Sequence, residues 1–255
     1  MNLLRYYKEK VFDWKSLTVV EWFLIISIFS IAIARAVITG NVDVVGSVSA
    51  LCGVICVVLC AKASMGNWIF GIIDCFLYGY ICLHSHIYGD AIQRFCYTLP
   101  MQFVGMYMWS HRRSEEDATI VHTRLMSWGQ RFLWLALLAV LTVALAYALN
   151  RFGPAMQHFL SEHFFEGTYI KETYASTAQL YMDSFTTVAF MLAMYIAAKA
   201  YAEQWILWIA INVISVMIWM QNLGSDQYAF MTMSKYILYF VNSLYGWNNW
   251  YRLAK

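Results

Sequence analysis

The chain has 255 residues, of which 61% are hydrophobic and 13% charged, and its net charge is +2. Because soluble domains carry about 25% charged residues, this composition excludes an ordinary soluble protein and indicates a polytopic membrane protein. The small net charge gives no reason to expect a nucleic-acid partner. Three basic residues, Arg5, Lys8 and Lys10, precede the first apolar run without a small-residue cleavage site, so we predict no cleaved signal peptide.

Eight apolar stretches follow a basic, aromatic lead-in at residues 1–18. They lie at residues 19–39, 43–62, 67–84, 91–109, 131–150, 183–201, 204–222 and 231–250. Each is long enough for a helix to cross a hydrocarbon core of roughly 30 Å. We therefore predict an all-α integral membrane protein with eight transmembrane helices.

Lysine and arginine set the expected orientation. With a cytoplasmic N-terminus, 12 of the 17 basic residues fall on the inner side, which agrees with the positive-inside rule. Only Arg35, Arg94, Arg151, Lys171 and Lys235 fall on the outer side. Both termini are therefore expected in the cytoplasm. The longest outer loop, residues 151–182, is expected to hold a short interfacial helix.

An internal repeat organises the chain. Residues 61–68 read AKASMGNW and residues 198–205 read AKAYAEQW, with Ala, Lys, Ala and Trp in register 137 residues apart. The repeat predicts two parallel three-helix bundles joined by one helix, a 3+1+3 transporter architecture like that of sugar-exporting SWEET proteins. The predicted segments are the lead-in with an extra first helix at 1–42, the first bundle at 43–109, a linker at 110–182 containing helix 131–150, and the second bundle with a short tail at 183–255.

The seventh stretch carries an unusual face. Trp205, Trp208, Asn212, Ser215 and Trp219 fall on one narrow stripe at helical spacing. An unpaired amide in hydrocarbon costs several kcal/mol, so Asn212 should face protein or a cavity. Two interpretations remain open: helix packing strengthened by one asparagine, or a stacking platform with hydrogen bonds for a flat, polar small molecule.

The last stretch carries a second polar face with Tyr239, Asn242, Tyr245 and Asn249. Asn242 lies deepest and is the stronger candidate for a cavity. Asn248 and Asn249 lie near the cytoplasmic interface, where polar residues and tryptophans are ordinary.

In the first bundle, the matching helix holds Trp68 and the intramembrane carboxylate Asp74. Such a carboxylate is a functional candidate: it could neutralise a cationic ligand, accept a proton or hydrogen-bond ribose hydroxyls. The alternative is a structural pair with Arg94 or a tyrosine hydroxyl. Arg94 and Lys235 occupy equivalent places, where we expect them to snorkel to the outer interface.

Pro100 and Gln102 lie in the middle of the fourth stretch. Proline removes a backbone hydrogen bond and kinks a helix, and Gln102 is deep enough to need a partner, so a gate or binding site and a purely structural kink are both open. No metalloprotease, lipase or P-loop motif occurs, and the six cysteines form no CxxC pair. We expect neither an enzyme nor a bound cofactor or metal.

Together, the repeat, the WxxWxxxN run at Trp205–Asn212, PMQFVGMYMW at Pro100–Trp109 and NSLYGWNNW at Asn242–Trp250 resemble the PnuC family. These are bacterial nicotinamide riboside transporters of the inner membrane. The resemblance covers residues from about 43 to 252. It implies facilitated diffusion, trapping of the substrate by a cytoplasmic kinase, and a homotrimer. It leaves thiamine and riboflavin, the flat vitamins of related transporters, as alternative substrates.

The residue types fit that substrate, which combines a flat cation, a carboxamide and a ribose. Indole faces attract flat cations, and amides suit the carboxamide and hydroxyls. The predicted substrate-binding residues are Trp68, Asp74, Gln102, Trp205, Trp208, Asn212, Asn242, Tyr245 and Trp247. Of these, Tyr245 and Trp247 are expected to close the inner side. A phosphorylated mononucleotide would require Arg or Lys deep in the cavity, and the predicted site contains none, so we predict that it is refused. A membrane protein that only binds partners or serves a structural role is the rival from a different class.

Overall fold

The computed structural model describes residues 17–84, 91, 93–112, 121–163, 177–221, 223–224 and 229–254. These residues form eight α-helices and no β-strand, which confirms the predicted all-α class. The helices are α1 Val19–Thr39, α2 Val44–Ala61, α3 Asn67–His84, α4 Leu99–Ser110, α5 Trp128–His163, α6 Thr177–Ala198, α7 Gln204–Gln221 and α8 Ala229–Leu253. The lead-in at 1–16, the predicted outer turn at 85–90 and residues 164–176 lie outside the described residues.

Within the described residues, four helices are long and apolar enough to cross a membrane: α1, α2, residues Trp128–Gly153 of α5 and residues Leu180–Ala198 of α6. Two shorter apolar helices cover Asn67–Cys82 and Gln204–Met220. The prediction of eight helical stretches is therefore confirmed, and four of them carry a clear membrane-spanning signature.

Local signals explain where α1 begins and ends. Thr18 and Glu21 form a capping box, in which each side chain accepts a hydrogen bond from the backbone of the other. At the other end Gly40 has φ of 64°, a left-handed conformation that glycine adopts without steric cost. These signals place the observed helix at the predicted residues, 19–39.

The linker region differs from the prediction. Helix α5 continues to His163 instead of ending at 150, so residues 151–163 extend the long helix and do not form a separate interfacial helix. Helix α6 begins at Thr177, six positions before the predicted 183, and ends at Ala198. Hydrophobicity marks the part of a helix that lies in lipid, and polar residues extend the same helix beyond it.

The fourth apolar stretch is interrupted as its proline suggested. Residues Arg94–Thr98 form a π-helical turn, and α4 follows with Pro100 in its first turn. The Leu99 N–H donates to the Arg94 carbonyl, five residues back. A π-turn of this kind accommodates the hydrogen bond that proline cannot make.

The described chain divides into two compact units, Met1–Leu125 with Ala193–Lys255, and Met126–Leu192. In the first unit, α2 packs against α3 and α8, α7 packs against α8, and α1 lies on α2 and α8. Seven buried residues from α1, α2 and α8 form one apolar core: Leu24, Ile28, Ala50, Val54, Val58, Met231 and Leu238. This core holds the extra first helix onto the bundle.

Candidate functional site

The polar and aromatic stripe of α7 is turned into the protein. Trp205, Asn212, Ser215 and Trp219 are buried, and Trp208 is half-buried. The Trp208 indole donates to Gln204 Oε1 at 3.3 Å, so its polar atom is held by the preceding turn. Asn212 was expected to face protein or a cavity, and the structure places it against protein.

A hydrogen-bond chain joins α7 to α8. Asn212 Nδ2 donates to Ser243 Oγ at 2.9 Å, and Ser243 Oγ donates to the Tyr239 carbonyl at 2.7 Å. Ser243 therefore satisfies both its own helix and the asparagine opposite. Serines commonly bond back to a carbonyl one turn earlier, so nothing in the sequence marked this serine as the asparagine's partner.

The asparagines of α8 reach across to α2. Asn242 Nδ2 donates to the Val57 carbonyl at 2.8 Å, and Asn249 Nδ2 donates to the Ala61 carbonyl at 2.7 Å. Asn249 is half-buried by this contact, whereas Asn248 is exposed. The Asn242 side chain is fully buried, and its Oδ1 has no hydrogen-bond partner. Asn242 thus combines a structural bond with an acceptor left for another group.

Four buried tryptophans meet at one end of the bundle. Trp68 and Trp109 lie edge to face at 5.0 Å, Trp205 and Trp250 at 6.1 Å, and Trp109 and Trp250 join the two pairs at 5.6 Å. In each pair, one tryptophan ring packs against a glycine, whose missing side chain leaves room for the ring. The Trp68 ring lies against Gly105, and a Cβ on Gly246 would lie 2.6 Å from the Trp205 ring.

Two of these indoles donate across the repeat. Trp109 Nε1 donates to the Ala197 carbonyl at 2.9 Å, and Trp250 Nε1 donates to the Cys60 carbonyl at 2.8 Å. The Nε1 atoms of Trp68 and Trp205 are buried without a partner. The indoles of Trp109 and Trp250 therefore tie helices together, whereas those of Trp68 and Trp205 keep an unused hydrogen-bond donor.

The turns that follow α2 and α6 have matching conformations. Ala63 and Ala200 are the described non-glycine residues with positive φ, at 56° and 60°. Their carbonyls accept bonds of 3.0 Å from the N–H groups of Val121 and Arg124. The segment after α4 thus holds both turns, and the repeated Ala-Lys-Ala sequence corresponds to a repeated backbone shape.

Asp74 has partners that the sequence did not suggest. Its Oδ1 accepts from Ser49 Oγ at 2.7 Å and lies 3.5 Å from Lys235 Nζ. Lys235 is 3% exposed, so it does not snorkel to an interface as expected. Burying an ammonium is unfavourable unless an opposite charge lies beside it, and Asp74 provides that charge.

Two cations lie over the ring of Tyr78. The Arg94 guanidinium is 4.5 Å from the ring centroid and Lys235 Nζ is 4.2 Å from it. Lys235 is therefore a buried basic group, although it was expected at the outer interface. Helix packing moved this side chain from the predicted outer end of its helix into the protein.

Gln102 is buried against the helix that carries Asp74. A Cβ on Gly71 would lie 2.6 Å from Gln102 Oε1, so the glycine makes room for the amide. Gln102 Oε1 is buried without a hydrogen-bond partner. Gln102 lies one turn after the π-helical segment, so the irregular backbone and the unpartnered amide are close along the chain.

The two residues expected to close the inner side are not brought together. The Tyr245 hydroxyl donates to Glu21 Oε1 on α1 at 2.9 Å. Trp247 is half-buried and stacks on exposed Tyr251, with ring centroids 5.9 Å apart. They lie on different sides of α8. Glu21 is a residue that sequence reasoning missed, although the Thr-x-x-Glu capping signature was present in the sequence.

Five of the described buried polar atoms without a hydrogen-bond partner belong to predicted site residues or to Gln204, the neighbour of Trp205 in the chain. They are Trp68 Nε1, Gln102 Oε1, Gln204 Nε2, Trp205 Nε1 and Asn242 Oδ1. Most buried polar groups in proteins are satisfied, so these unpartnered donors and acceptors favour a ligand that forms hydrogen bonds. The described residues contain no group of three or more His, Cys, Asp or Glu that could hold a metal ion.

The chain is similar in sequence to known membrane transporters. A family model described as nicotinamide mononucleotide transporter matches residues 43–252. The chain is similar to the nicotinamide riboside transporter PnuC of Haemophilus influenzae, with 29% identity over 250 residues covering 97% of this chain and 95% of that protein. It is also similar to the nicotinamide riboside transporter PnuC of Neisseria mucosa, with 28% identity over 213 residues, 82% of this chain and 72% of that protein.

A solved structure shares the fold. A crystal structure described as that of the vitamin B3 transporter PnuC superposes with a TM-score of 0.71 and 24% identity, over 98% of this chain and 97% of that one. This likeness shows that the two chains share a fold.

Proposed function

The chain belongs to the nicotinamide mononucleotide transporter family, and we propose that this member takes up nicotinamide riboside across the bacterial inner membrane by facilitated diffusion. The family is one of membrane transporters and not of enzymes, which confirms the expectation from the missing catalytic motifs. The choice of the riboside is supported by the similarity of the chain to the nicotinamide riboside transporters of Haemophilus influenzae and Neisseria mucosa.

The observation that carries the proposal is the set of unpartnered buried atoms on Trp68, Gln102, Trp205 and Asn242. The riboside presents a flat cationic ring, a carboxamide and ribose hydroxyls. Amide oxygens and indole N–H groups match the carboxamide and hydroxyls, and an indole face attracts the ring cation. All four residues come from the set predicted from the sequence.

We assign roles on this basis. Trp205 and Trp208 hold the ring, and Asn212, Asn242 and Gln102 provide hydrogen bonds. Trp68 contributes its indole from the first bundle. Asp74 acts mainly by holding α8 against α3, because its Oδ1 is engaged by Ser49 and Lys235. Tyr245 and Trp247 act at the inner end of α8, where Tyr245 is tied to α1.

Alternating access between two parallel three-helix bundles is part of the proposal. The matching backbone at Ala63 and Ala200 and the crossed indole bonds of Trp109 and Trp250 support a 3+1+3 repeat. Cytoplasmic termini, a homotrimer and trapping by a cytoplasmic riboside kinase complete the proposal. Cross-linking in membranes tests the trimer, and uptake into vesicles loaded with kinase and ATP tests the trapping.

The phosphorylated mononucleotide is the second candidate substrate, favoured by Lys235 and Arg94 over the Tyr78 ring. We retain the riboside because Asp74 already engages Lys235 and the unpartnered atoms belong to neutral groups. The riboside therefore finds partners without displacing an ion pair, whereas a phosphate would compete with Asp74.

Calorimetric titration of the detergent-purified protein tests the function, with nicotinamide riboside, its mononucleotide, thiamine and riboflavin as titrants. Saturable binding of the riboside alone is the expected result. Preferential binding of the mononucleotide would transfer the proposal to the second candidate. Binding of thiamine or riboflavin instead would assign another flat vitamin. Binding of none of them would favour a structural or partner-binding membrane protein.

A paired variant tests the site. Trp205→Ala combined with Asn212→Ala should abolish riboside binding while the protein stays folded and monodisperse in detergent. The matched control is Trp128→Ala, since Trp128 is 71% exposed on α5 and its loss removes an indole elsewhere. Normal binding by the double variant would show that the site is wrongly placed.

A further inference from the structure

Helix α1 lies outside residues 43–252, the part of the chain that the family model matches, and it carries a buried carboxylate. Glu21 is 0% exposed although it belongs to the first turn of α1. A buried carboxylate is strongly unfavourable unless charges or hydrogen-bond donors surround it. The partners of Glu21 therefore indicate what the residue is for.

Those partners come from three parts of the first compact unit. Glu21 Oε2 accepts from the Thr18 N–H at 2.7 Å and from Lys62 Nζ at 3.4 Å, and Oε1 accepts from the Tyr245 hydroxyl at 2.9 Å. Thr18 caps α1, Lys62 lies in the turn between α2 and α3, and Tyr245 lies in α8. One carboxylate thus connects the turn of the first bundle to the last helix of the second.

The position of Tyr245 links this cluster to the candidate site. Tyr245 is one helical turn from Asn242, whose Oδ1 is unpartnered, and is adjacent to Gly246, against which the Trp205 ring lies. A bond that fixes Tyr245 also fixes the rotation of α8, because side chains one turn apart share a helix face. Leu24 packs in the apolar core that joins α1 to α2 and α8.

We propose that Glu21 is a positioning residue of the transporter: by accepting the Tyr245 hydroxyl and the Lys62 ammonium, it holds α8 in the rotation that presents Asn242 and Gly246 to the site. The expected effect on riboside binding rests on the proposed function. The extra first helix thereby has a role beyond apolar packing, because packing alone would not require a buried carboxylate at position 21.

A double-mutant cycle tests the proposal, with Glu21→Leu, Tyr245→Phe and the two combined. Each single variant should weaken riboside binding about tenfold, as expected for the loss of a hydrogen bond to a charged group. The combined variant should bind riboside no more weakly than Glu21→Leu alone, because that single change already removes the hydrogen bond from Tyr245. Losses that multiply to about a hundredfold, or unchanged affinity in Glu21→Leu, would overturn the proposal.

Two further variants separate positioning from general stability. Ile28→Ala removes apolar packing from the same face of α1 two turns away, and it should lower the melting temperature while leaving riboside affinity unchanged. Glu21→Gln retains one acceptor oxygen, so its riboside affinity should lie between those of the wild type and Glu21→Leu. If Glu21→Leu behaves like Ile28→Ala, losing stability alone, the positioning role is refuted.

The same cycle measured by melting temperature distinguishes failure of the proposed function. If the wild-type protein binds no riboside, the function assigned above fails. The contact is then judged by stability alone: non-additive melting shifts for Glu21→Leu and Tyr245→Phe support it, and additive shifts overturn it.

Discussion

Lys235→Met replaces lysine with an apolar side chain of similar length that has no ammonium, so it tests the buried ion pair with Asp74. The lysine is 3% exposed and its Nζ lies 3.5 Å from Asp74 Oδ1. Its removal leaves a buried carboxylate with Ser49 as its described hydrogen-bond donor, at 2.7 Å. Breaking one side of a buried pair costs about 3–5 kcal/mol.

The combined variant, Lys235→Met with Asp74→Asn, removes both charges and should recover most of the lost stability, since no unpaired charge remains. For a chain of this size, the single change should lower the melting temperature by roughly 6–20 °C. The measurement is thermal unfolding in detergent, followed by the fraction of protein that remains monodisperse.

Two results would refute this reasoning about the ion pair. A Lys235→Met protein that melts with the wild type would show that the ammonium is not needed by Asp74. A combined variant whose melting temperature falls by the sum of the two single changes would show that the residues act independently. The matched control is Lys199→Met, which removes an ammonium at the end of α6, where Lys199 lies over the Tyr195 ring.

Three further outcomes are expected. Gly246→Ala should displace the Trp205 ring, which would lie 2.6 Å from the new Cβ, and should destabilise by about 1–3 kcal/mol while weakening riboside binding. Gly129→Ala, with nothing within 4 Å, is its control and should melt no lower than wild type. Asn242→Ala should lower riboside affinity in calorimetry, whereas Asn248→Ala, at an exposed position, should not; equal effects would argue against the site. In proteoliposomes, an inward proton gradient should neither drive nor accelerate riboside uptake, and accumulation against the riboside gradient would contradict facilitated diffusion.

Properties encoded within a few neighbouring residues were predictable. The bounds of α1 and α3 agree with the apolar stretches at 19–39 and 67–84, because an apolar run and a capping box act within one turn of the chain. The burial of the α7 stripe was predictable for the same reason: a helical period of 3.6 puts its members on one face. Where polar sequence continued a helix, as in α5 beyond residue 150, hydrophobicity no longer marked the end.

The candidate site shows the same division. Asn212 was expected to face protein or a cavity, and it bonds to protein, but periodicity alone did not indicate Ser243 as the partner. Lys235 was expected at an interface, since its position near the end of a helix allows snorkelling. The structure places it against Asp74 because α3 and α8 pack within reach of each other, a fact that neither segment encodes by itself.

The sequence alone determined that the chain is a helical membrane protein with an internal repeat, polar helix faces and the motifs of a transporter family. Hydrophobicity, helical period and repeated motifs are local quantities that can be read from one segment at a time. The tertiary structure decided which polar group meets which, including the contact between Glu21 and Tyr245 across 224 positions. Such pairs depend on how whole helices pack, because a buried polar atom takes the partner that packing brings within hydrogen-bond distance.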